Sequence, residues 1–232
     1  MNILAIDTST NVLGVGLASE EKIIGEYITN IKRNHSTRVL PAIEYMLNDV
    51  GYAFQDLDKI VVAEGPGSYT GLRIGVTIGK TLAWTLQIPL SGVSSLKAMA
   101  ASAHYFPGYL APLMDARRGN IFTGLYRYEG EKLIQVIEDQ HIAAEEWAQE
   151  LKEYAEPILF IGHDVALHKE TFQRTLQNRA QFPAAQLHIQ RPGELALLGK
   201  DAPEVQVHSF VPNYLRLAEA EAKWRAKNQG KE

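Results

Sequence analysis

Two hydrophobic rhythms alternate along the chain. Ile3-Leu4-Ala5-Ile6 is a short apolar run, Asp7-Thr8-Ser9-Thr10-Asn11 is turn chemistry, and Val12 to Ala18 resumes apolar residues with glycines between them. After the charged turn Glu20-Glu21-Lys22, a third strand is expected over Ile23 to Ile28. From His35 to Val50 the period becomes that of a helix. Val39, Leu40, Ile43, Met46, Leu47 and Val50 share one face, Ser36 or Thr37 can cap it, Pro41 falls near the first turn, and Gly51 can end it. Ile60-Val61-Val62-Ala63 reads as a buried strand leading into the glycine-rich turn Glu64 to Gly71 and a helix to about Leu86. Pro89 to Val93 reads as a strand and Ser94 to His104 as a helix.

The second half repeats this order. Leu4-Ala5-Ile6-Asp7 aligns with Pro112-Leu113-Met114-Asp115, and Gly16-Leu17 with Gly124-Leu125 at the same offset. With two extra residues in the turn, Glu21-Lys22-Ile23-Ile24 aligns with Glu131-Lys132-Leu133-Ile134. A helix from Ala143 to Tyr154 follows, as His35 to Val50 did. Matches in register with one element order indicate a duplication. A strand over Pro157 to Gly162, a helix over Ala166 to Leu176 and a shorter helix over Glu194 to Gly199 complete the pattern. These readings predict an α/β protein of two lobes, residues 1–105 and 106–218, with a charged tail over 219–232 that frays from a helix.

Composition narrows the function. The 232 residues contain no cysteine, which removes disulfides, thiolate metal sites and cysteine nucleophiles and fits a reducing compartment. The opening residues have no basic flank, and Asp7 interrupts their apolar stretch, so they do not read as a signal peptide. No apolar run approaches the ~20 residues of a membrane span. The formal net charge is −4, with 23 Lys and Arg against 27 Asp and Glu. A protein that grips nucleic acid unaided usually carries a basic excess, so contact with RNA is expected only alongside a partner.

Several segments invite a chemical reading. The hairpin at Asp7 and Ser9 could hold phosphate on its N–H groups and hydroxyls, or it could be a polar turn satisfying its own backbone; the residues alone favour the turn. Gly65-Pro66-Gly67-Ser68-Tyr69-Thr70-Gly71-Leu72-Arg73 joins a strand to a helix N-terminus, either as an anion site or as a tight connection. Tyr69 at its middle excludes a nucleophile elbow. Gly75-Val76-Thr77-Ile78-Gly79-Lys80-Thr81 is not a phosphate-binding P-loop, because its glycine spacing is one residue short. Gly71, Gly75 and Gly79 instead form a stripe at four-residue steps, where another backbone can approach: an internal element or another subunit. His163 and His168 are five apart, the wrong step for one helix face to hold a metal. Arg117 and Arg118 could meet phosphate or RNA, although solvated turn charges are the simpler reading.

Ile6-Asp7-Thr8-Ser9, the loop Glu64 to Arg73, Met114-Asp115-Ala116-Arg117-Arg118-Gly119 and Pro212-Asn213-Tyr214-Leu215-Arg216 together resemble the TsaB (YeaZ) family across nearly the whole chain. The resemblance implies an actin-like (ASKHA) duplicated fold with a reduced C-terminal lobe. It also implies a cytoplasmic, non-catalytic role in making threonylcarbamoyladenosine beside the tRNA anticodon. The partners implied are TsaD, the catalytic paralogue, bound directly, with TsaE and tRNA reached through the complex; ATP and a divalent metal belong to those partners, and this chain carries no cofactor. Where the catalytic paralogue has a His-x-x-x-His metal pair, this chain has Ser95 and Met99, and its adenosine-binding glycine pair is reduced to Gly162. On that reading Asp7 and Ser9 are a vestigial phosphate hairpin. Docking to TsaD, and self-association into a homodimer without it, are expected at Val39, Ile43, Met46, Leu47 and Val50 of one helix and Gly71, Leu72, Gly75, Val76 and Gly79 of the next. The alternative is an actin-fold small-molecule kinase using the Asp7 hairpin.

Overall fold

The structure, a computed structural model, describes residues 1–20, 22–31 and 34–216; the expected tail from residue 219 lies outside the described residues. The first sheet contains β1 (Ile3–Asp7), β2 (Val12–Ala18), β3 (Ile23–Asn30), β4 (Lys59–Gly65) and β5 (Leu90–Ser94), in the order β3-β2-β1-β4-β5. Its helices are α1 (Val39–Val50), α2 (Tyr69–Leu86) and α3 (Ser95–Ala101). The second sheet contains β6 (Tyr109–Arg117), β7 (Asn120–Glu129), β8 (Lys132–Ala143), β9 (Ile158–Ile161) and β10 (Ala180–Gln181). With it come α4 (Ala144–Glu150) and α5 (Val165–Leu176), and the last helix in chain order is α6 (Pro192–Lys200). Its order, β10-β9-β6-β7-β8, repeats that of the first: an antiparallel meander extended by two parallel strands. The duplication read from the sequence is therefore present as topology. Its register slips by one residue, since Ala5 faces Gly16 whereas Leu113 faces Thr123 rather than Gly124.

Alternation along each strand sorts the side chains into layers. Leu4, Ile6, Ile60 and Val62 face α1 and α2, while Ile3, Ala5, Val61 and Ala63 face α6 and Ala98 of α3. In the second sheet Ala111, Leu113 and Phe160 pack with Trp147 of α4 and Phe172 of α5. On its other face Leu110, Met114, Leu159 and Ile161 pack with Leu96, Met99 and Ala100 of α3. Thus α3 lies between the two sheets, and Ser95, Leu96, Ala98, Met99, Ala100 and Ala101 are all buried.

The chain then returns to its first lobe. α6 lies on β1 and β2, so closely that a Cβ on Gly16 would stand 2.5 Å from the Pro192 carbonyl carbon. Beyond it, Val205 N donates to Leu90 O at 2.9 Å, Asn213 N donates to Glu64 O at 2.7 Å, and Lys80 Nζ donates to the carbonyls of His208 and Phe210. The division at residue 105 is thus a division of chain order. By packing, α6 joins α3 on the second face of the first sheet, and the segment after it runs beside β5 and α2 before Arg216 reaches the β6–β7 turn.

Two local expectations change. Neither Ser36 nor Thr37 caps α1; Asn34 accepts from Ser36 N at 3.1 Å and starts a short 3-10 turn over His35–Thr37 instead. Gly51, left-handed at φ 76°, does end the helix. The larger correction concerns the expected docking residues. Val39, Ile43, Met46, Leu47, Leu72 and Val76 are buried against the first sheet with at most 4% exposure, and Val50 packs at their edge. The glycine stripe also faces inward. A Cβ on Gly71 would meet Thr8 O at 2.1 Å, on Gly75 Thr8 Oγ1 at 2.5 Å, and on Gly79 Val62 Cγ1 at 2.4 Å. The neighbour that requires the stripe is the sheet of the same lobe, so these residues cannot present a surface to a partner. Gly71→Ala is expected to lower the stability of the chain by about 1–3 kcal/mol through overpacking, whereas Thr77→Ala on the exposed face of α2 stays within about 0.5 kcal/mol. Denaturant titration of both variants checks this.

Candidate functional site

The polar hairpin between β1 and β2 is organised by Asp7. Its Oδ1 accepts from Ser9 N at 2.9 Å and from Ser9 Oγ at 2.7 Å, while Oδ2 is buried with no hydrogen-bond partner among the described residues. Burial pushes the carboxyl above its usual range, and the two Ser9 hydrogen bonds pull the other way. The N–H and hydroxyl that a phosphate would need from Ser9 are thus committed to Asp7. His35 Nε2 lies 2.8 Å from Thr10 O and braces the turn. The loop after β4 is fastened to this hairpin: Ser68 N donates to Ser9 O at 2.7 Å and Thr8 Oγ1 to Gly71 O at 2.7 Å. Gly67 is required by the same approach, since a Cβ there would stand 2.4 Å from Ser9 O. Ser68 Oγ accepts from Gly71 N at 3.3 Å and starts α2.

The hairpin between β6 and β7 faces it across a cleft. Asp115 N donates to Asp164 Oδ2 at 2.9 Å, and Asp115 Oδ1 lies 3.0 Å from Nε2 of the buried His168. Arg117, Arg118 and Gly119 turn the hairpin with φ of 67°, 57° and 77°. Arg216 Nη1 donates to Ala116 O at 2.8 Å, tying residues returned from the far end of the chain to this hairpin. The cleft holds about 590 Å³, lined by Ser9–Asn11, Pro66–Thr70, Met114–Arg118, His163, Asp164 and Asn213–Arg216. Tyr69 and Tyr214 stack at its rim with centroids 5.0 Å apart, and the Arg73 guanidinium lies 4.7 Å from the Tyr69 ring centre. Arg117, Arg118, Arg216 and the N-terminus of α2 line the cleft together with Asp115 and Asp164, so groups of both signs face it.

All four segments that carried the family resemblance converge on this one cleft, and comparison with known proteins agrees with them. A family model described as "TsaD: tRNA N6-adenosine threonylcarbamoyltransferase" matches residues 22–224. The tRNA threonylcarbamoyladenosine biosynthesis protein TsaB of Bacillus subtilis (strain 168) is 54% identical over 224 residues, 97% of this chain and 98% of the relative. The chain belongs to the TsaB family. The structure of YeaZ from Pseudomonas aeruginosa superposes with a TM-score of 0.78 at 26% identity, over 92% of this chain and 99% of that one. A ROK hexokinase from Thermus thermophilus shares the fold alone, with a TM-score of 0.50 at 11% identity over 85% of this chain and 98% of that one.

In this TsaB-family chain the positions set against the metal pair of the catalytic paralogue lie inside α3, away from the cleft lining. Ser95 Oγ is buried without a partner, and Met99 Sδ would be 3.0 Å from a Cβ on Gly162, so the two departures noted in the sequence touch each other in space. His163 lines the cleft while His168 is the anchor of Asp115. Sequence reasoning weighed His168 only as a metal ligand and missed its contact with Asp115, as it missed Asp164 and the Tyr69–Tyr214 stack, because no local spacing joins residues so far apart in the chain. Asp164→Ala, which removes the acceptor of the Asp115 N–H, is expected to cost about 1–3 kcal/mol and to speed amide exchange at Asp115. Hydrogen exchange resolved at that residue checks it.

Proposed function

We propose that this chain is the non-catalytic subunit that supports TsaD while TsaD moves threonylcarbamoyl from threonylcarbamoyl-AMP to N6 of the adenosine 3′ of the anticodon, in tRNAs reading codons that begin with A. The observation that carries the reading is its 54% identity to a TsaB along almost its whole length. The non-catalytic part is supported by Ser95 and Met99, which are buried between two sheets where a metal-binding site would need imidazoles facing the cleft. No helix among the described residues is long and apolar enough to cross a membrane, in keeping with work in the cytoplasm on tRNA. TsaE and tRNA are reached through TsaD, and ATP and the divalent metal stay with the partner subunits.

The docking surface for TsaD, and for a second copy of the chain when TsaD is absent, is the outward side of α1 and α2. Both helices cover the same face of the first sheet, so their exposed sides form one surface. It carries Leu40 and Tyr45 on α1, 43% and 65% exposed, and Thr77, Thr81 and Trp84 on α2, with Trp84 55% exposed. Large exposed apolar groups of this kind favour a partner over water. Tyr45→Glu combined with Thr77→Arg is expected to leave the fold intact, weaken co-purification with TsaD at least about tenfold, and reduce tRNA modification when the chain is added back to TsaD, TsaE and the threonylcarbamoyl-AMP-forming enzyme. A folded double variant that binds TsaD with wild-type affinity places the interface elsewhere. Modification that proceeds at full rate without the chain removes the proposed role.

A further inference from the structure

The junction between the lobes contains a half-buried acidic pair, Asp139 and Glu64, that none of the preceding chemistry uses. In β7 and β8 the three steps from Thr123 to Tyr126 face five steps from Gln140 to Gln135, so β8 bulges. Such a bulge re-aims side chains, and here Asp139 reaches the first lobe. Its Oδ2 accepts from Ser94 Oγ, and its Oδ1 from Tyr126 OH and from Gln135 Nε2 at 3.2 Å. Ser94 ends β5 and caps α3, with its hydroxyl accepting from Lys97 N at 3.1 Å. Gly124 is the glycine that admits the carboxylate, since a Cβ there would stand 2.6 Å from Asp139 Oδ1.

Glu64, on β4, sits beside this contact. A Cβ on Gly92 would be 2.2 Å from Glu64 Oε2 and 2.7 Å from Phe210 Cζ, so the Glu64 carboxyl is held between the sheet and an aromatic ring. It accepts no hydrogen bond from any described residue, whereas Asp139 accepts three. The groups facing the pair are Ser94 and Lys97 from β5 and α3, Tyr126 from β7, Gln135 from β8 and Phe210 from the returning segment; Lys97 is the cation among them. Three donors favour the ionised form of Asp139, and none favours that of Glu64.

We propose that the Ser94–Asp139 contact, with Glu64 beside it, is a proton-controlled latch between the lobes: it is closed while Glu64 is protonated and loosens when Glu64 ionises. Burial first and the Asp139 charge second hold Glu64 above the ordinary carboxylate value of 4.5. Asp139 is itself raised from 3.8 by burial, against the pull of its three donors and Lys97. For a raised carboxyl the closed state has its full advantage below the ordinary value and loses it as pH rises through the raised one. Each unit of upward shift on Glu64 therefore corresponds to about a tenfold loss in the closed-to-open ratio across that window.

Because the chain has no cysteine, Gln55→Cys and Gln173→Cys, both at exposed positions, give one spin label on each lobe. Labelled protein diluted into unlabelled full-length chain removes distances between copies. Between about pH 5 and about pH 8 the interlobe distance distribution of the otherwise wild-type protein is expected to lengthen or broaden, while Glu64→Gln keeps the low-pH distribution throughout. Ser94→Ala is expected to give the open distribution at both pH values. A wild-type distribution that does not move overturns the proposal, as does a Glu64→Gln protein that moves like wild type. If Glu64→Gln flattens the pH dependence of stability while the wild-type distance stays fixed, Glu64 is a half-buried acid only, and the latch is refuted.

Discussion

The fold depends on one short helix that is buried at every position but one. α3 is flanked by the first sheet and α6 on one side and the second sheet on the other, so six of its seven residues must be apolar or small. Ser95-Leu96-Lys97-Ala98-Met99-Ala100-Ala101 meets that demand: three alanines allow close approach, Leu96 and Met99 fill the second sheet's face, and Lys97 reaches out at the junction. A Leu or Met deleted from such a place leaves a cavity costing about 2–5 kcal/mol, because neither sheet can collapse into it alone. The same demand governs positions 95 and 99, which are buried. Imidazoles at positions 95 and 99 would need an open space to point into, and here both positions are filled by packing.

Much of the architecture was legible in the sequence because the two periods are unambiguous where strands are buried on both faces. The runs at residues 3–6 and 60–63 and the helix at 69–86 follow the pattern closely, and the repeated order of elements foretold two sheets of one topology. β10 was not legible: Ala180 and Gln181 are too short a segment to carry a period, and only their pairing with β9 makes them a strand. The return of α6 to the first sheet was hidden for a different reason. Its glycines at 193 and 199 mark close approach, but a sequence does not say to what, and Gly199 turns out to sit on Val61.

The docking residues illustrate a limit of amphipathic reasoning. An apolar stripe on α1 identifies the face that the sheet must bury, and that is where Val39, Ile43, Met46 and Leu47 lie. Assigning that stripe to a partner inverted inside and outside. The informative residues are the exceptions on the polar side, Leu40 and Tyr45, which interrupt an otherwise hydrophilic face. For the cleft the opposite holds. The turn residues were visible because glycine, proline and aspartate punctuate the chain, and the structure adds that the glycines serve contact between backbone segments.

The position of α6 also has a consequence for how the protein is made. β1 and β2 are made long before the helix that covers their inner face, which begins at Pro192, and the segment bound along β5 and α2 comes later still. Until α6 is made, Ile3, Ala5, Val61 and Ala63 have Ala98 of α3 beside them but lack the cover of Leu195 and Ala196. Transiently exposed apolar surface is prone to aggregation, so the late covering of this face lengthens the time over which the first lobe meets that hazard.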